Sequence, residues 1–157
     1  MPESLNQRAA RGYFGIGVYH PKKSVNIGSL FRSASLFGAA FVFTVGKRYS
    51  EQSSDTCKTS RHTPLFHFAD VNDLVAHLPH GCPLVGVELA ESARPLPKYV
   101  HRSACCYLLG AEDHGLDKAT MDRCHDLIVI PFGEHSMNVA CAGSIVLYDR
   151  ASKGESA

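Results

Sequence analysis

The stretch Leu108-Leu-Gly-Ala-Glu-Asp-His-Gly-Leu116 decides how this 157-residue chain is organised. It reads as a buried strand that ends in a glycine-rich turn. The apolar run Leu-Ile-Val-Ile-Pro follows at 127–131, and His-Ser-Met-Asn-Val-Ala at 135–140 opens a helix. The unusual residues therefore lie in turns between regular elements, and turns on a rigid scaffold are where binding and catalytic residues concentrate.

Strands and helices alternate along the rest of the chain. Apolar, β-rich runs predict strands at 13–19, 40–45, 65–68, 83–89, 104–109 and 126–130. Helical spacing and capping residues predict helices at 25–37, 70–77, 117–124 and 138–150. Nearly continuous apolar strands alternating with helices are typical of a parallel sheet covered on both faces. We therefore expect a single doubly wound α/β domain over residues 1–157, with an ordered core at about 12–150 and a tail at 151–157.

Two stretches carry no regular pattern. Residues 46–64 form a polar, basic segment that is long for a connection inside a compact domain, and such loops are usually functional or mobile. Residues 91–102 contain prolines and are expected to be irregular.

Charge is unevenly distributed although the net charge is only +1. Residues 1–61 hold nine Lys or Arg against three acidic residues, whereas the remainder holds seven against twelve. The basic first part is compatible with a phosphate-facing surface and equally with an ordinary solvated face.

Six cysteines occur without any Cys-x-x-Cys spacing, so we expect reduced, mostly buried thiols. Cys105 and Cys106 are adjacent in a predicted strand and should point to opposite faces. A zinc site from His77, His80 and Cys82 lacks a fourth nearby ligand, and we expect no metal.

Several classes of protein are disfavoured. No apolar stretch approaches the roughly 18 residues that span a bilayer, and the first twelve residues hold no apolar secretion segment, so we expect a cytoplasmic protein without membrane contact. Gly15-Ile-Gly17 lacks the third glycine of a dinucleotide-binding turn, and no phosphate-binding loop of the nucleoside triphosphatase type is present.

Three stretches at successive strand-to-helix turns carry a common pattern. They are Asn26-Ile-Gly-Ser-Leu-Phe-Arg32-Ser-Ala34, Leu109-Gly-Ala-Glu-Asp-His-Gly-Leu116 and Ser136-Met-Asn138-Val-Ala140. In this order and spacing they resemble the three motifs of the SpoU/TrmH-type RNA methyltransferases of the SPOUT superfamily. The resemblance extends from about Gly12 to Arg150.

The resemblance implies S-adenosylmethionine as cofactor and a ribose 2′-hydroxyl of tRNA or rRNA as methyl acceptor. It also implies a C-terminal trefoil knot and a homodimer whose active site uses both chains. We slightly prefer tRNA, since a bare catalytic domain suits a compact substrate. Two alternatives stay open: a non-catalytic RNA-binding dimer that retains the fold, and methylation of a base or a non-RNA target.

Cofactor-binding positions follow from the same resemblance. They are Leu89, Leu109, Gly110, Glu112, Gly115, Ile130, Met137 and Asn138, with Glu88 beside them. Gly110 and Gly115 allow backbone to approach a ligand where a side chain would obstruct it. Core packing is the alternative explanation for Ile130 and Met137.

Catalytic positions implied by the resemblance are Arg32, Glu112, Asn26, Ser136 and Asn138. A guanidinium is essentially always protonated, so Arg32 is expected to grip an RNA phosphate and orient the hydroxyl. Glu112 is expected to orient Arg32 across the dimer interface, or else to be an acid favoured by a helix N-terminus.

The remaining site residues have structural alternatives. Asn26 is expected to fix the turn before its helix, and both Ser136 and Asn138 are N-cap candidates. His114 and His135 either assist proton transfer or are exposed turn histidines. Within the segment 46–64, the RNA-contact candidates are Lys47, Arg48, Lys58, Arg61 and His62.

Overall fold

The computed structural model describes residues 12–48 and 63–154. Strands are β1 (Tyr13–Tyr19), β2 (Phe41–Val45), β3 (Leu65–Phe68), β4 (Leu84–Val87), β5 (Arg94–Pro95), β6 (Ala104–Leu109) and β7 (Asp126–Val129). Helices are α1 (Ser24–Leu36), α2 (Val71–His77), α3 (Lys118–Arg123) and α4 (Val139–Lys153), with a 3₁₀ turn at Leu96–Lys98. Most of the predicted elements are confirmed to within one to three residues at each end.

The strands form one seven-stranded sheet in the order β3-β2-β1-β6-β4-β7-β5. Every pair is parallel. In the central pair, Tyr13 lies opposite Ala104 and Val18 opposite Leu109. The predicted parallel α/β sheet is confirmed.

Helices cover both faces of the sheet. On one face, Ile16, Tyr107 and Leu109 share a buried cluster with residues of α1 and α4. On the other face, Phe43 and Leu108 belong to a second cluster that includes Leu74 of α2. Strand β6 therefore contributes alternate residues to two cores.

The cysteines follow this alternation. Cys105 belongs to the first cluster and Cys106 to the second, which confirms that the two thiols point to opposite faces. Burial raises the pKa of the Cys82 and Cys124 thiols to about 11, so both stay protonated and behave as small apolar groups. Cys141 is exposed, unlike most of the others.

Short polar side chains begin three of the helices. The Asp70 carboxylate accepts from the Asp73 N–H at 2.8 Å, which confirms the predicted cap of α2. Asp117 accepts from the Thr120 N–H at 2.7 Å. Asn138 accepts from the Ala140 and Cys141 N–H groups at 2.9 and 3.2 Å. Asn138 is therefore the cap of α4, and the capping role considered for Ser136 is wrong because Ser136 lies two residues before the N-cap position.

Two other expectations need correction. Asn26 lies inside α1, which begins at Ser24, so it does not fix the turn before the helix. The stretch 91–102 is not wholly irregular, since Arg94 and Pro95 pair with Ile128 and Val129 as a short edge strand. Proline is tolerated there because an edge strand leaves one side of its backbone unpaired.

No group of three or more potential metal ligands occurs within residues 12–48 and 63–154. None of the helices in these ranges has the length and apolar character that crossing a lipid bilayer requires.

A buried polar network joins the end of α4 to the start of β6. His101 Nε2 lies 2.8 Å from Asp149 Oδ2, and His101 Nδ1 lies 2.6 Å from the Tyr107 hydroxyl. The hydroxyl accepts from Arg150 at 3.2 Å and has one proton to donate, which Nδ1 can accept while the imidazole donates from Nε2 to Asp149. The network is thus satisfied by a neutral histidine.

This histidine predicts a pH dependence of stability. Burial lowers the pKa of His101 in the folded state, more than Asp149 raises it. Below about pH 6.5, the unfolded chain binds a proton on this histidine more readily than the folded chain does, so the free energy of unfolding falls as the pH falls. The slope contributed by one such group is at most about 1.4 kcal/mol per pH unit.

Urea unfolding between pH 7.5 and 5.5 measures this effect. The folded-state pKa of His67 is lowered in the same direction, chiefly by burial, so His67→Gln and His101→Gln should each reduce the slope. Exposed Asn72 provides the control, since Asn72→Gln neither adds nor removes a titrating group and should leave the slope unchanged. A slope that His101→Gln does not reduce contradicts the role given to the network.

Candidate functional site

A cleft lies where three adjacent parallel strands end. β6, β4 and β7 are neighbours in the sheet, so their carboxyl ends meet at one edge. The cleft is partly open to solvent, and its position beyond the carboxyl ends of parallel strands is one where ligands commonly bind. It is lined by Val87, Glu88, Leu89, Leu109, Gly110, Ala111, Glu112, Gly115, Val129, Ile130, Phe132, His135, Ser136, Met137, Val139 and Ala142.

The glycine turn after β6 forms one wall. The Gly115 N–H donates to the Ala111 carbonyl at 2.9 Å, and Gly115 has a φ of +62°. A Cβ on Gly110 would lie 2.7 Å from the Gly115 backbone. No real Cβ tolerates such a contact with backbone, so both glycines are required for the turn to fold back this closely.

Glu88, just beyond β4, holds the turn from the opposite side. Its carboxylate accepts from the Leu116 N–H at 2.6 Å and from the Leu89 N–H at 2.8 Å. The side chain is therefore fixed in the cleft wall by two backbone donors. It is the anchor between the ends of β4 and β6.

Two polar links connect this turn to the start of α1. Asn26 donates from its amide to Glu112, and Lys22 forms an ion pair with Asp113. The Lys22 ammonium holds the pKa of the Asp113 carboxyl below its usual range. The first and second sequence motifs are therefore in direct contact, although they lie more than 80 residues apart in the chain.

The segment between β7 and α4 forms the other wall. Ile130, Ser136 and Met137 line the cleft before Asn138 begins the helix. Phe132 is 78% exposed and Met137 39% exposed, so apolar surface stays open at the mouth. Apolar side chains left uncovered beside fixed polar groups are typical of a ligand site.

Most of the cofactor positions implied by the motifs lie at this cleft. Leu89, Leu109, Gly110, Glu112, Gly115, Ile130 and Met137 all line it, as does Ser136. Asn138 borders the cleft as the helix cap without lining it.

Asn26 reaches the cleft only through Glu112. Arg32 is exposed on α1 and does not line the cleft, and Glu112 contacts Asn26 of its own chain. The expected pairing of Glu112 with Arg32 is therefore not formed within one chain, and pairing between two chains stays a prediction. His114 is exposed in its turn, and His135 is an exposed residue at the cleft.

Sequence reasoning missed five lining residues, namely Val87, Ala111, Phe132, Val139 and Ala142. Phe132 had a detectable signal, since a large aromatic residue follows Pro131 and precedes Gly133 in a turn where burial is not expected. Of the basic segment, Lys47 and Arg48 are exposed, while Lys58, Arg61 and His62 lie outside the described residues.

Comparison with known proteins identifies relatives over the same region. Residues 14–148 match the model of the SpoU rRNA Methylase family. The 23S rRNA (guanosine-2′-O-)-methyltransferase RlmB of Acinetobacter baylyi is 29% identical over 132 residues, which cover 79% of this chain and 53% of that protein. The chain thus spans about half the length of this curated relative.

Solved structures agree on the fold. The SpoU methyltransferase AviRb from Streptomyces viridochromogenes, in complex with AdoMet, superposes with a TM-score of 0.80 at 24% identity, covering 100% of this chain and 67% of that one. A structure described as giving insight into 2-OH methylation of C/U34 on tRNA has a TM-score of 0.77 at 20% identity, and the match covers 92% of this chain and 97% of that one. The match to the family model covers the strands, the cleft and most of α4, so the chain belongs to the SpoU rRNA methylase family.

Proposed function

We propose that this chain is an S-adenosylmethionine-dependent methyltransferase that acts on a ribose 2′-hydroxyl of structured RNA. The observation that carries the proposal is the glycine-walled cleft at the ends of β4, β6 and β7, built from the second and third motifs of the family. The curated relative RlmB is named as a guanosine-2′-O-methyltransferase, which favours ribose chemistry over base methylation.

The cleft suits S-adenosylmethionine in shape and charge. The close approach of Gly110 to Gly115 leaves backbone groups on the surface, and Leu109, Ile130 and Met137 supply apolar walls for an adenine ring. No Lys or Arg lines the described cleft, whereas Glu88 and Glu112 do. An acidic cleft favours a cofactor that carries a positively charged sulfonium.

The bound cofactor supplies an electrophilic methyl group for in-line attack by the hydroxyl. The hydroxyl would lose its proton to water as its oxygen bonds to the methyl carbon, and the electron pair of the broken carbon–sulfur bond would stay on sulfur. A hydroxyl is a poor nucleophile until that proton leaves. Arg32 orients the nucleophile through an RNA phosphate, while Glu112, held by Asn26, and the residues Ser136 and Asn138 shape the acceptor side of the cleft.

A homodimer brings Arg32 to a cleft that it does not line in its own chain. Exposed apolar side chains on α1 and α4 support this assembly, since Leu36 is 77% exposed and Tyr148 66% exposed, with Val25 and Ile145 also exposed. Uncovered apolar surface on neighbouring helices marks an interaction face. We therefore propose that Arg32 of one protomer completes the cleft of the other.

The proposal also includes four further properties of this protein. They are a single domain over 1–157, a trefoil knot formed by the C-terminal segment, a cytoplasmic location and a slight preference for tRNA over rRNA. Incubation with methyl-labelled S-adenosylmethionine and either tRNA or ribosomal RNA, followed by mass-spectrometric mapping of the product, tests the activity and the RNA class together. RNA binding without any methyl transfer would instead support the non-catalytic dimer.

Gly110→Ala is expected to abolish saturable binding of S-adenosylmethionine. The added Cβ would lie 2.7 Å from the Gly115 backbone, which cannot yield as a flexible side chain would. Isothermal titration calorimetry measures the effect, with one site per chain expected for the natural sequence.

Gly154→Ala is the matched control for that experiment. Its Cβ would meet its nearest neighbour at 3.5 Å, an ordinary contact, and it lies at the far end of α4. Unchanged binding in Gly110→Ala would place the cofactor elsewhere than against this turn.

A further inference from the structure

The charged side chains that line the cleft are both acidic. They are Glu88 and Glu112, and no Lys or Arg joins them among the described lining residues. The two carboxylates differ in how they are held. Glu112 is engaged by the Asn26 side chain, whereas Glu88 is held only by the N–H groups of Leu89 and Leu116.

Glu88 is a fixed negative charge without a cationic partner in the described ranges. None of the ion pairs there involves it. Its two backbone donors hold one orientation, and its Oε2 lies against the glycine turn, 2.8 Å from where a Cβ of Gly110 would be. The carboxylate therefore presents an uncompensated charge at the wall that the cofactor is proposed to occupy.

Methyl transfer changes the charge of the cofactor and little else. S-adenosylmethionine carries a sulfonium in addition to its ammonium and carboxylate groups. When the carbon–sulfur bond breaks, the electron pair stays on sulfur and the product is a neutral thioether with the same adenosine and amino-acid parts. A fixed negative charge in the cleft distinguishes the two compounds, since both carry the ammonium and carboxylate but only the cofactor adds the attraction between the carboxylate of Glu88 and a sulfonium.

We propose that Glu88 is a specificity-determining residue that favours the cationic cofactor over its neutral product. This inference rests on the proposed function, because it assigns a task to Glu88 within the same cleft. The proposed role gives a physical reason for product release, because the attraction between the sulfonium and Glu88 disappears in the step that forms the product. Glu88 does not take part in bond formation.

The experiment compares binding of S-adenosylmethionine, S-adenosylhomocysteine and sinefungin, an analogue with an amine in place of the sulfonium. Glu88→Gln removes the charge and keeps the size, although an amide cannot accept from both backbone donors. Any resulting change in the turn weakens the binding of all three ligands. The measured quantity is therefore the ratio of the dissociation constant of S-adenosylhomocysteine to that of each cationic ligand. We expect the preference for each cationic ligand over S-adenosylhomocysteine to fall about three- to tenfold in Glu88→Gln.

The matched control is Glu91→Gln, which removes an exposed charge three residues away that does not line the cleft. It should leave both ratios unchanged. A second measurement needs no variant: raising ionic strength should weaken the two cationic ligands more than S-adenosylhomocysteine, because salt screens only the charged interaction.

The outcomes separate the two proposals. Binding of all three ligands with ratios that Glu88→Gln does not change would overturn the role of Glu88 and leave the proposed function standing. A ratio that shifts for S-adenosylmethionine but not for sinefungin would also overturn it, since contact with the methyl group rather than charge would be responsible. If Glu88→Gln does not fold, a preference insensitive to salt overturns the inference. Failure of the natural sequence to bind any of the three would remove the proposed function, and this inference with it.

Discussion

Arg32→Ala is expected to slow methyl transfer about 10²- to 10³-fold while leaving the affinity for S-adenosylmethionine nearly unchanged. The guanidinium is exposed on α1 and does not line the cleft, so its removal leaves the walls formed by the glycine turn intact. Its proposed task is to hold the RNA phosphate beside the reacting hydroxyl. Single-turnover rates with saturating cofactor, together with calorimetric titration, measure the two quantities separately.

Two further substitutions test whether the effect of Arg32→Ala is specific to this guanidinium. Arg32→Lys keeps the charge but not the paired donors of the guanidinium, so it should recover only part of the rate. Arg123→Ala removes an exposed arginine at the end of α3 and should have no effect. Loss of cofactor binding in Arg32→Ala would contradict the role assigned to Arg32.

Mixed dimers test whether Arg32 acts across the interface. Arg32→Ala lacks the guanidinium, and Gly110→Ala lacks the cofactor wall. If each site takes its arginine from the partner, a mixed dimer has one site with both defects and one with neither. Co-expression of the two inactive chains in equal amounts should then restore about a quarter of the natural activity. A mixture that stays inactive would show that arginine and cleft belong to one chain.

The strands of the sheet could be predicted from the sequence because each strand is determined by the pattern of its own neighbouring residues. Strand β6 is apolar on consecutive residues, and a strand buried on both faces needs that pattern, as the placement of Cys105 and Cys106 in opposite cores shows. Asp70 predicted the start of α2 because a short side chain with an acceptor oxygen satisfies a backbone N–H group that has no partner within the helix. These features depend on a few neighbouring residues.

The parts that were missed depend on distant residues. The short strand β5 exists because Arg94 and Pro95 meet β7, which lies more than 30 residues later. The contact of Asn26 with Glu112 likewise needs the fold to bring two turns together. At the cleft, the motif residues located the glycine turn, whereas Ala142 inside α4 is recognised as a lining residue only once the structure places that helix at the cleft.

Arg150→Met is expected to lower the free energy of unfolding by about 2–4 kcal/mol. Arg150 is only 8% exposed, and its guanidinium donates to the Arg102 carbonyl at 2.7 Å and to the Ser103 carbonyl at 3.0 Å. It also lies 4.7 Å from the centroid of the Phe14 ring. Methionine fills much of the same space and keeps apolar contact with Phe14, but it removes the donor to the Arg102 carbonyl and one of the two donors to the Ser103 carbonyl, which keeps the Tyr13 N–H. Urea unfolding measures the loss.

Arg150→Lys separates geometry from charge in this site. Different terminal nitrogens of Arg150 reach the two carbonyls, and a single ammonium on a flexible stem does not reproduce that fork. We therefore expect lysine to recover only part of the stability, and Arg123→Ala to cost less than about 0.5 kcal/mol as an exposed control. A loss below about 1 kcal/mol in Arg150→Met would mean that water satisfies both carbonyls in place of the guanidinium.

The position of Arg150 makes a second measurement informative. The same helix begins at the cleft, where Val139 and Ala142 line the wall, and ends in the network around Arg150. If the network secures the whole helix, Arg150→Met should accelerate amide hydrogen exchange in the first turn of α4 as well as in the last. Faster exchange confined to the last turn would show that the cleft end is held independently by packing against β6 and α1. In that case the cleft should keep its affinity for the cofactor in this variant despite the lower stability.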